Sequence, residues 1–242
     1  HVDHNLHNNH FPQAKIMVHE ADFPYLGSRE RFISTLGSQY VGEDLSRYLK
    51  VDQLGYEFRE PDETMSDGTI IDLGHTRLEV LHLPGHTAGH CGFLFPDLGL
   101  VFSSDIDLDR FGPWYGNAAC NLNDFIDSVD RVINLKPEML ITSHASGPIT
   151  SNIQARLTRY RDEFYHREKE VINALYRGKH TLWEIVDENI IYRKFHEPQM
   201  RYFEWFMIRQ HVLRLIGLGK VFADNDRYYL YDGVRPSNLN LA

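Results

Sequence analysis

The sequence predicts an α+β fold followed by a smaller helical unit, and three observations carry that prediction. Residues 1–150 hold short apolar runs with the two-residue period of strands, interrupted by a single stretch of helical spacing. After about residue 150 helical spacing dominates, and the segment closes on two strand-like runs around a polar turn. Charge divides at the same place: residues 151–242 carry 15 Lys and Arg against 12 Asp and Glu, whereas residues 1–150 carry 10 against 22. A first domain over 1–150 and a helical, winged-helix-like unit over 151–242 are the expected organisation.

The elements follow in order. "AKIMVH" (14–19) is a compact apolar run of strand character. "GTIIDLG" and "TRLEVLHLPG" predict two adjacent strands, with Leu78, Val80 and His82 on one face and Leu81 and Leu83 on the other. "CGFLFPDLGLVFSSD" predicts a hairpin, with Pro96, Asp97 and Gly99 supplying the turn. Between 121 and 135, Leu122, Phe125, Ile126, Val129, Val132 and Ile133 recur at helical spacing, with Asn121 or Asn123 as N-cap and Pro137 as stop. "EMLITSH" returns to strand. An amphipathic helix is then predicted over 151–177, ended by Gly178. A second starts at Thr181, a third spans "PQMRYFEWFMIRQHVLRLIGLG", and a hairpin turns at Asp224-Asn225-Asp226.

At 242 residues, 42% hydrophobic and 12% aromatic, the chain can bury a sizeable core. Its apolar runs are far shorter than the ~18 residues a membrane span needs, and its opening lacks the basic and apolar regions of a signal peptide. Cys91 and Cys120 are too few for a disulfide framework and are expected as core side chains in a reducing cytoplasm. The acidic first part argues against gripping a phosphate backbone unaided, but suits a domain that gathers divalent cations.

Histidine points the same way. Ten of the 14 histidines precede residue 145, and four polar segments offer metal-ligand types in succession. "HVDH" opens the chain with His1, Asp3 and His4, expected on a tight loop at a strand end. "LPGHTAGH" lifts His86 off a strand through Pro84-Gly85, "LVFSSDID" delivers Asp105 past an apolar strand, and "MLITSHASGP" does the same for His144. Imidazole and carboxylate are the ligands that zinc and iron prefer.

In these ordered motifs the chain resembles the metallo-β-lactamase superfamily over residues 1 to about 150. "HVDH", "GHTAGH", "SSDID" and "TSHASG" stand where that family has His-x-His-x-Asp-His, Gly-His-Thr, a strand-end Asp and a late His. The resemblance implies an αββα sandwich and two divalent metal ions, zinc first, with iron or manganese as alternatives. One ion would bind His1, His86 and a histidine upstream of His1; the second would bind Asp3, His4 and His144; Asp105 would bridge them. On this alignment the chain starts inside the first motif and lacks the first strands, so the first ion is expected to load weakly here, with low turnover. Ser143 and Ala145 flank the late histidine where the family has glycines, and "NLHNN" replaces a glycine pair after the first motif.

Two divalent ions about 3.5–4 Å apart lower the pKa of a bridging water toward 7, giving a hydroxide nucleophile. Asp3 is the expected catalytic residue, orienting that hydroxide and taking its proton. No serine or cysteine nucleophile is needed, so Ser103, Ser104 and Ser143 are expected as loop residues and Cys91 as core. His82 and His90 are expected to pack beside the site, and His7 and His10 to lie on a solvated loop or line the entrance. Trp114 and Tyr115 either wall the substrate pocket or form a packed aromatic turn.

The expected function is a binuclear hydrolase of a small-molecule thioester or ester, similar to hydroxyacylglutathione hydrolases. The alternatives are a metal-dependent endoribonuclease or phosphodiesterase, and a non-enzymatic winged-helix binding or dimerisation module with a structural metal domain. Mixed charge in the tail, with Glu204 among its arginines, disfavours nucleic acid as a partner and suits a homodimer contact or a cover over the site.

Overall fold

The computed structural model describes residues 1–235. Helices and sheets mix as an α+β fold. The main sheet has five strands in the order β3 (Ile70–Asp72), β4 (Arg77–His82), β5 (Cys91–Phe95), β6 (Leu100–Phe102) and β7 (Met139–Ile141). Its first four strands are antiparallel neighbours, while β6 and β7 run parallel. A parallel pair needs a crossover, and α6 (Leu122–Leu135) supplies it. A separate parallel pair joins β1 (Met17–His19) to β2 (Glu63–Met65).

Alternation in β4 gives the sheet its faces. Glu79 pairs with Leu94, Leu94 with Val101 and Val101 with Leu140, so these residues share the face that also carries Leu81 and Leu83. That face packs into the main core with Phe125, Val129 and Val132 of α6. Val80, Phe93 and Phe102 lie in register on the opposite face, where the two phenylalanine rings stack 6.1 Å apart. Asn121 caps α6 by accepting from the amides of Asn123 and Asp124, and Lys136 ends it in the left-handed region.

After β7 the chain enters α7 (Ile153–Tyr176), then α8 (Leu182–Val186) and α9 (Pro198–Gly217), and ends in the β8 (Val221–Asp224) and β9 (Arg227–Leu230) hairpin. Thr181 and Glu184 form a complete capping box at α8. The hairpin turns at Asn225, whose φ of 55° matches the polar turn expected there. Leu83, Val101 and Phe125 share one apolar cluster with Phe164 of α7 and with Phe206 and Met207 of α9, so the core is continuous across position 150. Glu204 of α9 is fully buried and accepts backbone hydrogens from Ile191 and Tyr192, which ties the α8–α9 loop to the core.

Two local expectations need correction. His1, Asp3 and His4 sit on one helical turn, α1 (Val2–Asn5), and not on a strand-end loop. Residues 23–49, which carry no strand or helix in the sequence reading, hold four short helices: α2 (Phe23–Leu26), α3 (Arg29–Ser34), α4 (Ser38–Val41) and α5 (Ser46–Leu49). At four to six residues each, they are too short to display a 3.6-residue period. No helix among the described residues is long and apolar enough to cross a membrane.

Candidate metal centre

The loops after β4, β6 and β7 leave the same end of the sheet, and α1 lies against them. The six predicted ligands come together there. His86 Nε2 and His4 Nε2 stand 2.9 and 3.1 Å from Asp105 Oδ2, and His144 Nε2 stands 3.5 Å from Asp105 Oδ1. His1 Nδ1 lies 2.9 Å from His86 Nε2. Asp3 Oδ2 lies 3.5 Å from His4 Nε2 and 3.6 Å from His144 Nε2. One set able to hold a cation is His1, His86 and Asp105; a second is Asp3, His4 and His144. Asp105 and His86 are buried, while Asp3 and His144 are open to solvent. The centre is thus closed at its floor and open on one side.

Each ligand has a local cause. Gly85 adopts a φ of 124°, and its bare Cα lets α6 come close: a Cβ there would stand 2.2 Å from the Phe125 amide nitrogen. His86 follows directly, and its Nδ1 faces the Trp114 carbonyl at 2.9 Å. That contact turns the ring so that Nε2 faces Asp105, 2.9 Å away. Asp22 braces the same loop, accepting from the Thr87 hydroxyl at 2.6 Å and the Gly89 amide at 2.9 Å. Gly85→Ala is expected to cost about 2–4 kcal/mol, through strained φ and the clash with α6. Thermal melting and metal titration read it: both Tm and metal affinity fall, and unchanged values contradict the close packing.

His90 is buried, with Nδ1 on the Leu83 carbonyl at 2.7 Å, and its Nε2 accepts the Asp105 amide hydrogen at 3.1 Å. Burial, then the neighbouring His86, lowers its pKa to about 4, which keeps it the neutral acceptor this bond needs. Burial alone would raise the Asp105 pKa, but the hydrogen bonds from His4 and His86 outweigh it and hold the carboxyl well below the usual range. The bond to Asp105 raises His4 in turn, against its own partial burial.

Asp105 Oδ1 is buried and has no hydrogen-bond partner. His144 Nε2, 3.5 Å away, makes no hydrogen bond to it, and a desolvated carboxylate oxygen so placed calls for a cation. With two histidine-rich sets meeting at this carboxylate, the residues fit divalent metal ions of the borderline or oxygen-tolerant kind.

Other expectations divide. His82 takes no part in the cluster: it stacks on His19 at 3.8 Å and bonds the Ala88 carbonyl. His7 and His10 are exposed neighbours of each other. Trp114 lines the cavity at the centre, whereas Tyr115 is fully buried and bonds His211 Nε2 at 2.8 Å. Burial pushes the Cys91 and Cys120 thiols up to about 12, too high for a nucleophile at neutral pH. Sequence reading missed Asp107, which accepts the His144 amide hydrogen at 3.1 Å and forms a further candidate set with Asp105 and His144. Burial raises its pKa. Its signal was the Asp-Ile-Asp spacing. Asn117, whose side-chain nitrogen lies 3.3 Å from His1 Nε2, carried none.

The family model described as the metallo-beta-lactamase superfamily matches residues 1–144, more than half of the chain and all six candidate ligands. The chain belongs to the metallo-β-lactamase superfamily. Among curated superfamily relatives, the acyl-coenzyme A thioesterase MBLAC2 of Homo sapiens is 25% identical over 148 residues, covering 60% of this chain and 52% of the relative. The hydroxyacylglutathione hydrolase of Mesorhizobium japonicum is 43% identical over 44 residues, which are 18% of this chain and 17% of that one. The chain spans about half the length of the first of these relatives. A metallo-β-lactamase family protein from Thermus thermophilus shares the fold with a TM-score of 0.69 at 22% identity, covering 90% of this chain and 72% of its own. A β-lactamase domain protein from Burkholderia ambifaria gives 0.66 at 16%, covering 90% and 65%.

Proposed function

We propose that this chain forms the catalytic region of a binuclear metal-dependent hydrolase acting on a small-molecule thioester or ester. The observation that carries the reading is the convergence of His1, His4, His86 and His144 on Asp105, whose buried Oδ1 has no partner. The similarity to proteins named as a thioesterase and as hydroxyacylglutathione hydrolases supports the choice of bond.

His1, His86 and Asp105 would hold one cation, and Asp3, His4 and His144 the other, with Asp105 facing both. When bound, such a pair supplies Lewis acidity and lowers the pKa of water near neutrality. The remaining work falls to the chain. The Trp114 carbonyl and His90 fix the orientation of His86 and of the Asp105 backbone. Asp3, exposed at the mouth, is the carboxylate placed to orient water and accept its proton. The indole of Trp114 stands 5.5 Å from the His1 ring and closes one wall against solvent.

The test is a substrate screen of the intact, zinc-loaded protein against thioesters, lactones, phosphodiesters and RNA. Thioester turnover that disappears with chelator and returns with zinc is the expected result. RNA cleavage without thioester turnover would overturn the reading in favour of a nuclease.

A further inference from the structure

Three cavities adjoin at the candidate centre. The central one, about 300 Å³, is lined by His1, His86, Asp105 and His144. It shares His1, Asp3 and Trp114 with an apolar chamber of about 480 Å³. The chamber wall includes Leu6, Phe32, Leu36, Leu45, Leu49 and Phe203, and no lysine or arginine. Through a different set of wall residues, Asp109, Gly112 and Tyr160, the centre adjoins a pocket of about 230 Å³ that contains Arg110, Arg156 and Arg159. Of that pocket's two carboxylates, Glu163 is engaged by Arg167 and Asp109 accepts the Gly112 amide hydrogen. The three guanidiniums have no carboxylate partner among the described residues.

We infer that the substrate crosses the centre in one direction, its unbranched acyl chain in the apolar chamber and an anionic leaving part beside the three arginines. This orientation rests on the hydrolase reading. A water fills about 30 Å³ of liquid, roughly the share of one methylene, so the chamber holds a chain on the order of ten carbons with room at its mouth. The chamber excludes a charged acyl group, because burying an unpaired charge against leucine and phenylalanine is unfavourable. The arginine pocket favours a phosphate- or carboxylate-bearing leaving part, since a guanidinium fork pairs with either oxyanion. The thioester carbonyl then falls in the central cavity, against His1, Asp3 and Trp114, which line both that cavity and the apolar chamber.

The experiment compares acetyl, hexanoyl and decanoyl thioesters of coenzyme A, which is anionic, with the same acyl groups on neutral N-acetylcysteamine. The intact zinc-loaded protein is used. Burial of a methylene contributes up to about fourfold. At about twofold for each of the eight methylenes between acetyl and decanoyl the gain is about 250-fold, so kcat/KM is expected to rise at least about 100-fold on either carrier. Leu36→Trp, which fills the chamber, is expected to move the optimum to hexanoyl or shorter. Arg156→Glu with Arg159→Glu is expected to lower kcat/KM for coenzyme A thioesters at least about tenfold more than for N-acetylcysteamine thioesters. Binding of S-decyl-coenzyme A, a thioether that cannot be hydrolysed, gives a second readout by calorimetry and should be weakened by both substitutions.

Turnover with a flat chain-length profile, or an arginine variant that affects both carriers equally, overturns the orientation and leaves the hydrolase reading standing. Chain-length-dependent thioether binding without turnover of any thioester overturns the hydrolase reading alone.

Discussion

Asp105→Ala is expected to abolish metal retention at both positions and to lower thioester hydrolysis by at least about three orders of magnitude, or ~4 kcal/mol of transition-state stabilisation. The size follows from geometry. Among the described residues Asp105 is the one carboxylate that stands within about 3.5 Å of His4, His86 and His144 together. Removing it takes a ligand from the sets His1–His86–Asp105 and Asp105–Asp107–His144, and from the set Asp3–His4–His144 the carboxylate that faces His4 and His144. Asp105→Asn keeps the shape but cancels the charge, so it should retain the fold while losing most metal. Circular dichroism, metal analysis and kinetics on the two variants separate these effects. Wild-type turnover in Asp105→Ala would remove the basis for the assignment.

The largest stability effect is expected at Arg167. Its guanidinium is almost fully buried, yet it donates to the Pro113 carbonyl at 2.6 Å, to the Phe111 carbonyl, and to Glu163 Oε1 at 3.2 Å. It also lies over the Phe111 ring, 5.1 Å from its centroid. These contacts pin the loop 111–115 to α7, and that loop presents the Trp114 carbonyl to His86. Arg167→Met keeps the stem but strands two carbonyls, at about 3–5 kcal/mol. At this size, each kcal/mol shifts Tm by about 2–4 °C. A drop of about 6–20 °C, with weaker metal binding because His86 loses its brace, is the expected result. A melting point within ~2 °C of wild type would show that the buried arginine does not hold the loop.

The candidate centre was legible because its chemistry is carried by residue types at strand ends. Histidine and aspartate after Leu83, Phe102 and Ile141 interrupt apolar runs, and a side chain leaving a strand end reaches the same edge as its neighbours. Helices α6, α7 and α9 were legible for a different reason, since each is long enough to show its apolar period. What escaped is what depends on partners distant in sequence. Arg167 and Glu204 look like solvent-facing charges in amphipathic helices; only the carbonyls and amides of other segments make them interior groups. His90 has the same composition signal as His86, and differs because its Nε2 meets the Asp105 amide and not the cavity. The short helices between Phe23 and Leu49 are set by caps and turns, such as Ser28 accepting the Arg31 amide hydrogen, and by packing at the chamber wall. The helical turn Val2–Asn5 sends His1 and Asp3 to different cation sets.

Anomalous diffraction from zinc-loaded crystals of the intact protein tests the assignment most directly. Two peaks are expected beside Asp105, one against His1 and His86 and the other against Asp3, His4 and His144. A single ion held elsewhere, or a fully loaded protein with no density between these side chains, would contradict it.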